Sequence, residues 1–497
     1  MSKRGNKTYV MKFGGSSLAG PKEMLQSTSI VKNYSRTSNL IIVCSAMGDT
    51  TDHLLKAIDF AKKGDLEKAR KITSEIRASH AGAVEQTVAD PSMKIECLDH
   101  FSERFDELDK VLLGISLLRD LSPRSVDYIL SFGERLATTI IHNSLESSGL
   151  KSKYLTGGEA GILTDETFGS AEPILKVTNE KLRESLFPLI ENGIVPVVTG
   201  YIAETLDSHE LITLGRGGSD YTATLIAAAI GADEVILWTD VDGIMSADPR
   251  IIKNARILEQ ISYLEAMEMS AFGAKAMQPR ALEPAARKGI PVRIKNTFNP
   301  DVPGTLILSP ETMTNGARTG VKAVGSLTNV GVINISGTSI VGSPGTAVKI
   351  FEILKDLGVG ILMMSQSVTE NNVSLVIKRG ELNKVVRAFK RDLLMEDPDI
   401  LDKSDGMGRT FSNRGTNTKF SKLDYEDDVS IVAVLGRGMI GTPGIAGRVF
   451  SSVARQGINI RMIAQGSSEI NISFVIKDKD RNKAVAALHE EFVVGGS

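Results

Sequence analysis

The chain is poor in cysteine, in aromatic residues and in excess charge of either sign, and each shortage narrows what it can be. Only Cys44 and Cys97 occur in 497 residues, too few for a disulfide-stapled scaffold and in keeping with a reducing compartment. Nowhere does the sequence approach the ~18 consecutive apolar residues of a membrane span. The N-terminal MSKRGNKTYVMKFGG is basic but lacks the long apolar stretch of a secretory signal. A cytoplasmic location with no membrane partner is therefore expected. Lysine plus arginine number 58 against 60 acidic residues, a net charge of −2, so there is no whole-chain basic field. Basic runs are short, no DNA or RNA module appears, and no nucleic-acid partner is expected. The six histidines, His53, His80, His100, His142, His209 and His489, are scattered without metal-ligand spacing. An apolar fraction of 42% is enough to build a core, which argues against disorder, and the length suggests about three domains.

Glycine is plentiful, at 46 residues, and its short runs sit beside apolar strands. Thr8 to Phe13 reads as a strand ended by Gly14-Gly15-Ser16-Ser17, and Leu40 to Cys44 as a second, wholly apolar strand. Ile194 to Thr199 and Glu234 to Thr239 read as two more. Continuous apolar strands bounded by small polar residues suit a parallel sheet covered on both faces. From Asp52 to about Asp120 the pattern is helical and polar, expected as a helical subdomain or a lid edge. Strand, glycine loop, helix and strand in succession argue for an α/β sandwich ending near residue 305.

Several loops have the composition of a phosphate or carboxylate site. Lys12-Phe13-Gly14-Gly15-Ser16-Ser17 stands at a strand's carboxyl end, where glycines permit close backbone approach and N–H groups face an anion. Lys12 adds a cation. The other reading is a tight turn with a solvent-facing lysine. Gly215-Arg216-Gly217-Gly218-Ser219-Asp220 opens an alanine-rich helix whose N-terminus favours an anion, and Arg216 can grip a carboxylate with two parallel donors. Asp220 repels an anion unless a cation lies between, which suggests Mg2+ or an ammonium group; the plain alternative is that Ser219 or Asp220 caps the helix. Thr239-Asp240-Val241-Asp242-Gly243 can hold a metal or order a turn, but Ile251 stands where a calcium loop needs its glutamate. Glu134 is placed near a helix start within SFGERLATTII, where it could serve the helix dipole or a ligand. Phe272-Gly273-Ala274-Lys275 is a further glycine–lysine step.

The C-terminal third is duplicated. Gly337–Ile377 aligns with Gly436–Ile476 at a constant offset of 99 residues, with 15 identities in 41 positions. Both copies read as strand, glycine-proline-glycine turn, amphipathic helix, strand, strand. A unit this small needs a partner to cover its sheet, supplied by the other copy or by the same pair in a second chain. The stretch between them is polar and turn-rich.

The set VMKFGGSS, VCSAMGDTTD, SFGER, TLGRGGSDYTA, WTDVDGIMSADPR and FGAK, in that order, resembles the aspartate kinases, and the duplicated part resembles the paired ACT domains of such kinases. The resemblance implies an amino-acid-kinase-type αβα sandwich at 1–305, a first α+β ACT unit at 306–395, a polar linker or hairpin at 396–428 and a second ACT unit at 429–497. It implies that the edge of one ACT unit is completed by a distant segment. It also implies ATP-dependent phosphorylation of the L-aspartate side-chain carboxylate to 4-phospho-L-aspartate, the first step of the aspartate-family pathway, with ATP and Mg2+ as cofactors. Lys12, Asp220 and Lys275 fall on catalytic positions. Thr51, Glu134, Arg216, Gly217, Gly218 and Ser219 fall on aspartate-binding positions, with Arg216 toward the α-carboxylate and Glu134 toward the α-ammonium. Lys12, Gly14, Gly15, Ser16, Thr239, Asp240, Met245, Arg250, Lys275 and Ala276 fall on the ATP side. No direct protein ligand for a metal is assigned. Gly342, Pro344, Gly345 and Gln366, with Gly441, Pro443, Gly444 and Gln465, are expected to be regulatory, for a threonine or lysine effector, in a homodimer or tetramer joined through the ACT units. The chain stops soon after the second repeat, so the monofunctional arrangement is expected rather than one fused to a homoserine dehydrogenase. One departure is Gln278, where many members carry histidine. Rival readings are a glutamate 5-kinase, a catalytically silent amino-acid sensor, and a nucleotide-binding structural protein.

Overall fold

The computed structural model describes residues 6–272, 278–314, 320–336, 346–366, 372–394, 409–412, 422–466 and 468–494. The chain forms two compact units, one of residues 1–244, 257–267 and 275–317, the other of 245–256, 268–274 and 318–497.

The first unit is built on an eight-stranded sheet. Its central strand, Lys7–Phe13, pairs in parallel with Ser38–Cys44 on one side and Glu234–Thr239 on the other. Val195–Thr199 and Ser152–Leu155 continue one wing, also in parallel. Val292–Asn296 continues the other, followed by Thr305–Leu308, the single antiparallel step, and Gln260–Ser262. Phe13, Cys44 and Trp238 are register partners, as are Cys44 and Thr199, so four strands end at the same carboxyl edge. A parallel sheet of this kind opens its ligand crevice there.

One face of the sheet, with Met11, Phe13, Ile42 and Cys44, shares a single apolar core with the helices Pro21–Ser35, Thr50–Lys62, Leu66–Thr87, Pro91–Leu118 and Pro123–Ser147. The expected helical subdomain of residues 52–120 is therefore one wall of the main core. Its amphipathic stripes are spent on the sheet and on one another. The opposite face carries Val10, Ile41 and Val43, all fully buried, and is covered by helices that include Gly218–Ile230. Strand Thr305–Leu308 belongs to this sheet, so the division expected at residue 305 cuts its edge.

The second unit is an antiparallel sheet in which the duplication is visible element by element. Ala323–Ser336 and Lys422–Leu435, Thr346–Asp356 and Ile445–Arg455, Met363–Gln366 and Met462–Gln465, and Asn372–Lys378 and Asn471–Lys477 all repeat at the offset of 99. The two 14-residue strands run antiparallel to each other through both repeats. A bulge near Leu327–Val330, where Asn329 takes a φ of 56°, divides their register. Beyond it, Val330–Ser336 pairs with Asn372–Lys378, while Val429–Leu435 pairs with Asn471–Lys477.

Each repeat thus borrows a strand half from the other copy. Leu423 and Tyr425 enter the core around Ile333, Leu375, Val385 and Phe389, whereas Val324 enters the core around Val432, Val449, Phe474 and Leu488. The boundary expected at residue 428 falls inside a strand. Residues 409–412 of the expected linker form a short strand that pairs with 422–425.

Candidate active site

Lys12 lies on the sheet face covered by the helix Gly218–Ile230, whose first turn carries Asp220. The two side chains meet, Lys12 Nζ to Asp220 Oδ1 at 2.6 Å, with exposures of only 14% and 18%. The loops of residues 12–17 and 215–220 therefore converge, and the cation that Asp220 requires is supplied by Lys12. The capping alternative fails. The N-cap is Gly217, with a φ of 74° and no side-chain cap, so Ser219 and Asp220 are already helical. Gly215, at a φ of 73°, supplies a second left-handed turn, and exposed Arg216 stands between them. Ser219 packs on Gly200, where an added Cβ would come within 2.6 Å of the serine Cβ. Gln278 packs on Gly217 in the same way.

In the first loop the Gly14 N–H donates to the Trp238 carbonyl at 3.1 Å, which ties the loop to the neighbouring strand and removes that N–H from the expected phosphate cradle. Gly15 and Ser16 open a short helical turn, Gly15–Leu18, and as its first residues they have no N–H acceptor within the turn itself. Gly48 N–H donates to the Gly15 carbonyl at 3.1 Å, and a Cβ on Gly15 would lie 3.0 Å from the Gly48 oxygen. This close approach brings up Thr51, the half-buried second residue of the helix Thr50–Lys62.

Glu134 is not at a helix start. Its helix begins at Pro123, capped by Ser122, and Glu134 sits in the middle, fully enclosed. Its neighbour Gly133 makes this possible: a Cβ there would be 2.8 Å from the Ala46 Cβ. Glu134 Oε2 is buried with no hydrogen-bond partner. Burial pushes its carboxyl up to about 8, against the pull of backbone donors and of the Lys12 charge, which places Glu134 within electrostatic reach of the Lys12–Asp220 pair. A buried carboxyl oxygen left unpaired costs about 1–3 kcal/mol, a cost that a bound cationic group would remove.

Thr239 and Asp240 follow the strand Glu234–Thr239 at the same edge, with Thr239 Oγ1 donating to Asp240 Oδ1 at 3.1 Å. Asp242 accepts from Asn296 Nδ2 at 2.8 Å, so this acid helps to order the turn. Met245 and Arg250 belong to the second unit, and Arg250 is held by both carboxylate oxygens of Asp248. The first unit thus gathers Lys12, Asp220 and Glu134 without them. Lys275 and Ala276 lie outside the described residues. Among the described residues there is no cluster of three or more side chains fit to hold a metal by themselves.

Two residues with no motif to mark them complete the arrangement. Asp127, fully buried, accepts from the N–H of Gly169 and Thr213 and from the Thr213 hydroxyl at 2.9, 3.1 and 2.8 Å, anchoring the strand that leads into Arg216. Tyr201 adopts a left-handed φ of 67°, rare without a glycine, and packs against Gly218. Burial first, then the nearby Glu134 and Asp127 charges, push its hydroxyl up to about 12.

Residues 7–296 match the amino acid kinase family, and residues 333–393 and 432–492 match the ACT domain. Chloroplast aspartokinase 1 of Arabidopsis thaliana is 32% identical over 98% of this chain and 81% of its own length. The chain belongs to the amino acid kinase family and, within it, to the aspartokinases. E. coli aspartokinase III in complex with aspartate and ADP, an R-state structure, superposes with a TM-score of 0.77 at 25% identity, covering 98% of this chain and 99% of that one. The same enzyme with lysine and aspartate, in the T-state, gives 0.76 at 26% identity over 97% and 98%. As an aspartokinase, the chain carries its ACT repeats in the second unit. There Gly441 takes a φ of 64° and donates its N–H to Glu469 at 2.8 Å, Pro443 follows, and Gly444, at a φ of 88°, caps the helix Ile445–Arg455. Gln366 and Gln465 end the two edge strands, both exposed. Gly342, Pro344 and Gly345 lie outside the described residues. Among those residues, no helix is long and apolar enough to cross a membrane.

Proposed function

We propose that this aspartokinase transfers the γ-phosphoryl group of ATP to the side-chain carboxylate of L-aspartate, giving 4-phospho-L-aspartate and ADP. The observation that carries the reading is the buried, unpartnered oxygen of Glu134 beside the Lys12–Asp220 pair. It is suited to an α-ammonium, and the cation next to it to an incoming phosphate.

The side-chain carboxylate of aspartate has a reference pKa near 3.9, so it is already a nucleophile at pH 7 and needs no general base. A carboxylate oxygen attacks the γ-phosphorus, the bond from that phosphorus to the β,γ-bridging oxygen breaks, and ADP leaves with the electron pair. The barrier lies in bringing one anion up to another. Catalysis is therefore positioning plus cationic support. Lys12 meets the transferring phosphoryl group, Asp220 holds the Lys12 ammonium in place, and the N–H groups of Gly15 and Ser16 face the phosphates. Arg216 takes the substrate α-carboxylate, Glu134 its α-ammonium, and Thr51 and Ser219 line the same crevice. Lys275 is assigned a second phosphate cation. Asp220 keeps one carboxylate oxygen beyond the one Lys12 holds, which suits a Mg2+ that takes its other ligands from phosphates and water; when bound, the ion would neutralise developing phosphate charge.

The ACT repeats are assigned to feedback by lysine or threonine. Such an effector acts only through different affinities for two states of the enzyme. A homo-oligomer joined through the ACT units and a cytoplasmic location complete the proposal. The deciding experiment is hydroxylamine trapping of acyl phosphate with ATP and either aspartate or glutamate, each with and without lysine or threonine. Trapped product with aspartate, lowered by one effector, is the expected result. Product with glutamate alone would assign the enzyme to a different amino-acid substrate.

A further inference from the structure

A cavity of about 270 Å3 opens in the first unit between the helices Pro91–Leu118 and Pro123–Ser147 and the segment Tyr154–Glu159. No residue assigned to phosphoryl transfer lines it. Arg135 belongs to the cavity and Glu134 to the substrate cluster. As consecutive helical residues they project about 100° apart, so the two places are distinct. The volume is near the lower end of small-molecule sites, which begin at about 300 Å3.

Phe132 and Leu136 give the cavity an apolar floor. Its polar wall is rich in donors. The Arg135 guanidinium lies 5.1 Å from the centre of the Phe132 ring, meets the hydroxyls of Tyr128 and Tyr154, and feels the charge of Glu107. Arg104 is held by Glu107 at 2.9 Å. Burial pushes the Tyr154 hydroxyl up to about 12, so it keeps its proton. The Thr156 oxygen accepts from Glu159 N–H at 3.1 Å, which leaves the hydroxyl proton to be given. Burial lowers the His100 pKa, so its ring is neutral near pH 7. The acidic groups nearby are engaged: Glu159 accepts from Thr156 N–H at 2.7 Å at an exposed position, and Glu107 accepts from both Arg104 and Tyr128. The oxygens set against Arg135 are the neutral hydroxyls of Tyr128 and Tyr154, and among the described residues no carboxylate is in direct contact with it.

We propose that this cavity binds a small organic anion, its carboxylate or phosphate head against Arg135 and Tyr154 and its apolar part on Phe132 and Leu136. A planar guanidinium and a phenol together form a donor set for such a head.

The test uses the full chain saturated with aspartate and a non-hydrolysable ATP analogue, so that the catalytic anion positions are filled. Succinate, glycerol 3-phosphate and inorganic phosphate are titrated separately and followed by calorimetry. At least one organic probe should bind with a Kd of about 1 mM or below. Arg135→Gln should weaken it by roughly tenfold or more, and Tyr154→Phe, which keeps the ring and the packing, by a few-fold. Binding left unchanged by both substitutions overturns the proposal. So does the failure of both organic probes to bind, including the case in which inorganic phosphate alone binds.

Discussion

The two units bury polar groups in different settings. The kinase unit draws Lys12, Asp220, Glu134 and Asp127 deep into one crevice and leaves a Glu134 oxygen unpaired there. The ACT unit builds two apolar cores around strands exchanged between equivalent copies, and buries Lys390, Ser430 and His489 among its polar residues. A buried side-chain oxygen lacks a partner in each unit, Glu134 Oε2 in the first and Asp424 Oδ1 in the second, but Asp424 holds Lys422 through its other oxygen, whereas Glu134 makes no ion pair among the described residues.

The equivalence of the repeats can be broken most forcefully at their cores. Ile377 and Ile476 are fully buried, one in each core, at the offset of 99. Ile377→Ala and Ile476→Ala should each destabilise the second unit by about 2–5 kcal/mol in denaturant unfolding. A large cost at one and none at the other would show that the copies do not share the load. In the kinase unit, Lys12→Ala should lower kcat by about 10²–10³-fold with a much smaller change in aspartate KM. A near-normal kcat would remove Lys12 from the phosphate. Arg216→Ala should do the reverse, raising aspartate KM by about tenfold to a hundredfold with kcat changed less. An unaltered KM would show that the exposed guanidinium grips nothing. Gly133→Ala is milder. Its methyl must displace Ala46, at a cost of about 1–3 kcal/mol, and should raise aspartate KM by shifting Glu134, a change to be read in thermal unfolding and steady-state kinetics together.

Much of this site was legible before the fold was known because its loops need backbone freedom. Gly15, Gly215 and Gly217 stand where a Cβ or a right-handed turn would not fit, and such glycines leave a mark in the sequence. Glu134 was misplaced: it was read near a helix start, whereas its helix runs through from Pro123 and the glycine beside it serves a close approach to Ala46. Asp127 and Tyr201 carry no pattern at all: an acid inside an amphipathic helix and a tyrosine after a strand become informative only when their three-dimensional partners are known. The duplication was legible from identities at a fixed spacing. That a distant segment completes one ACT unit came from the resemblance; which strand halves exchange did not, because a half that pairs within its own copy and one that pairs across copies look alike in sequence.

The burial of Glu134 has a consequence for pH. A carboxyl raised from about 4.5 unfolded to about 8 folded keeps its proton in the free enzyme at pH 7. Its contribution to stability is complete below about pH 4.5 and is lost as pH rises toward 8. Glu134→Gln should flatten that dependence. An α-ammonium placed against Glu134 favours the ionised form, so aspartate binding should expel the proton. The most direct measurement is aspartate binding at pH 7 by calorimetry in buffers of different ionisation enthalpy. The expected result is release of close to one proton from Glu134, falling to near zero in Glu134→Gln. Binding with no proton release, or the same release in both proteins, would contradict the assignment of Glu134 to the substrate ammonium.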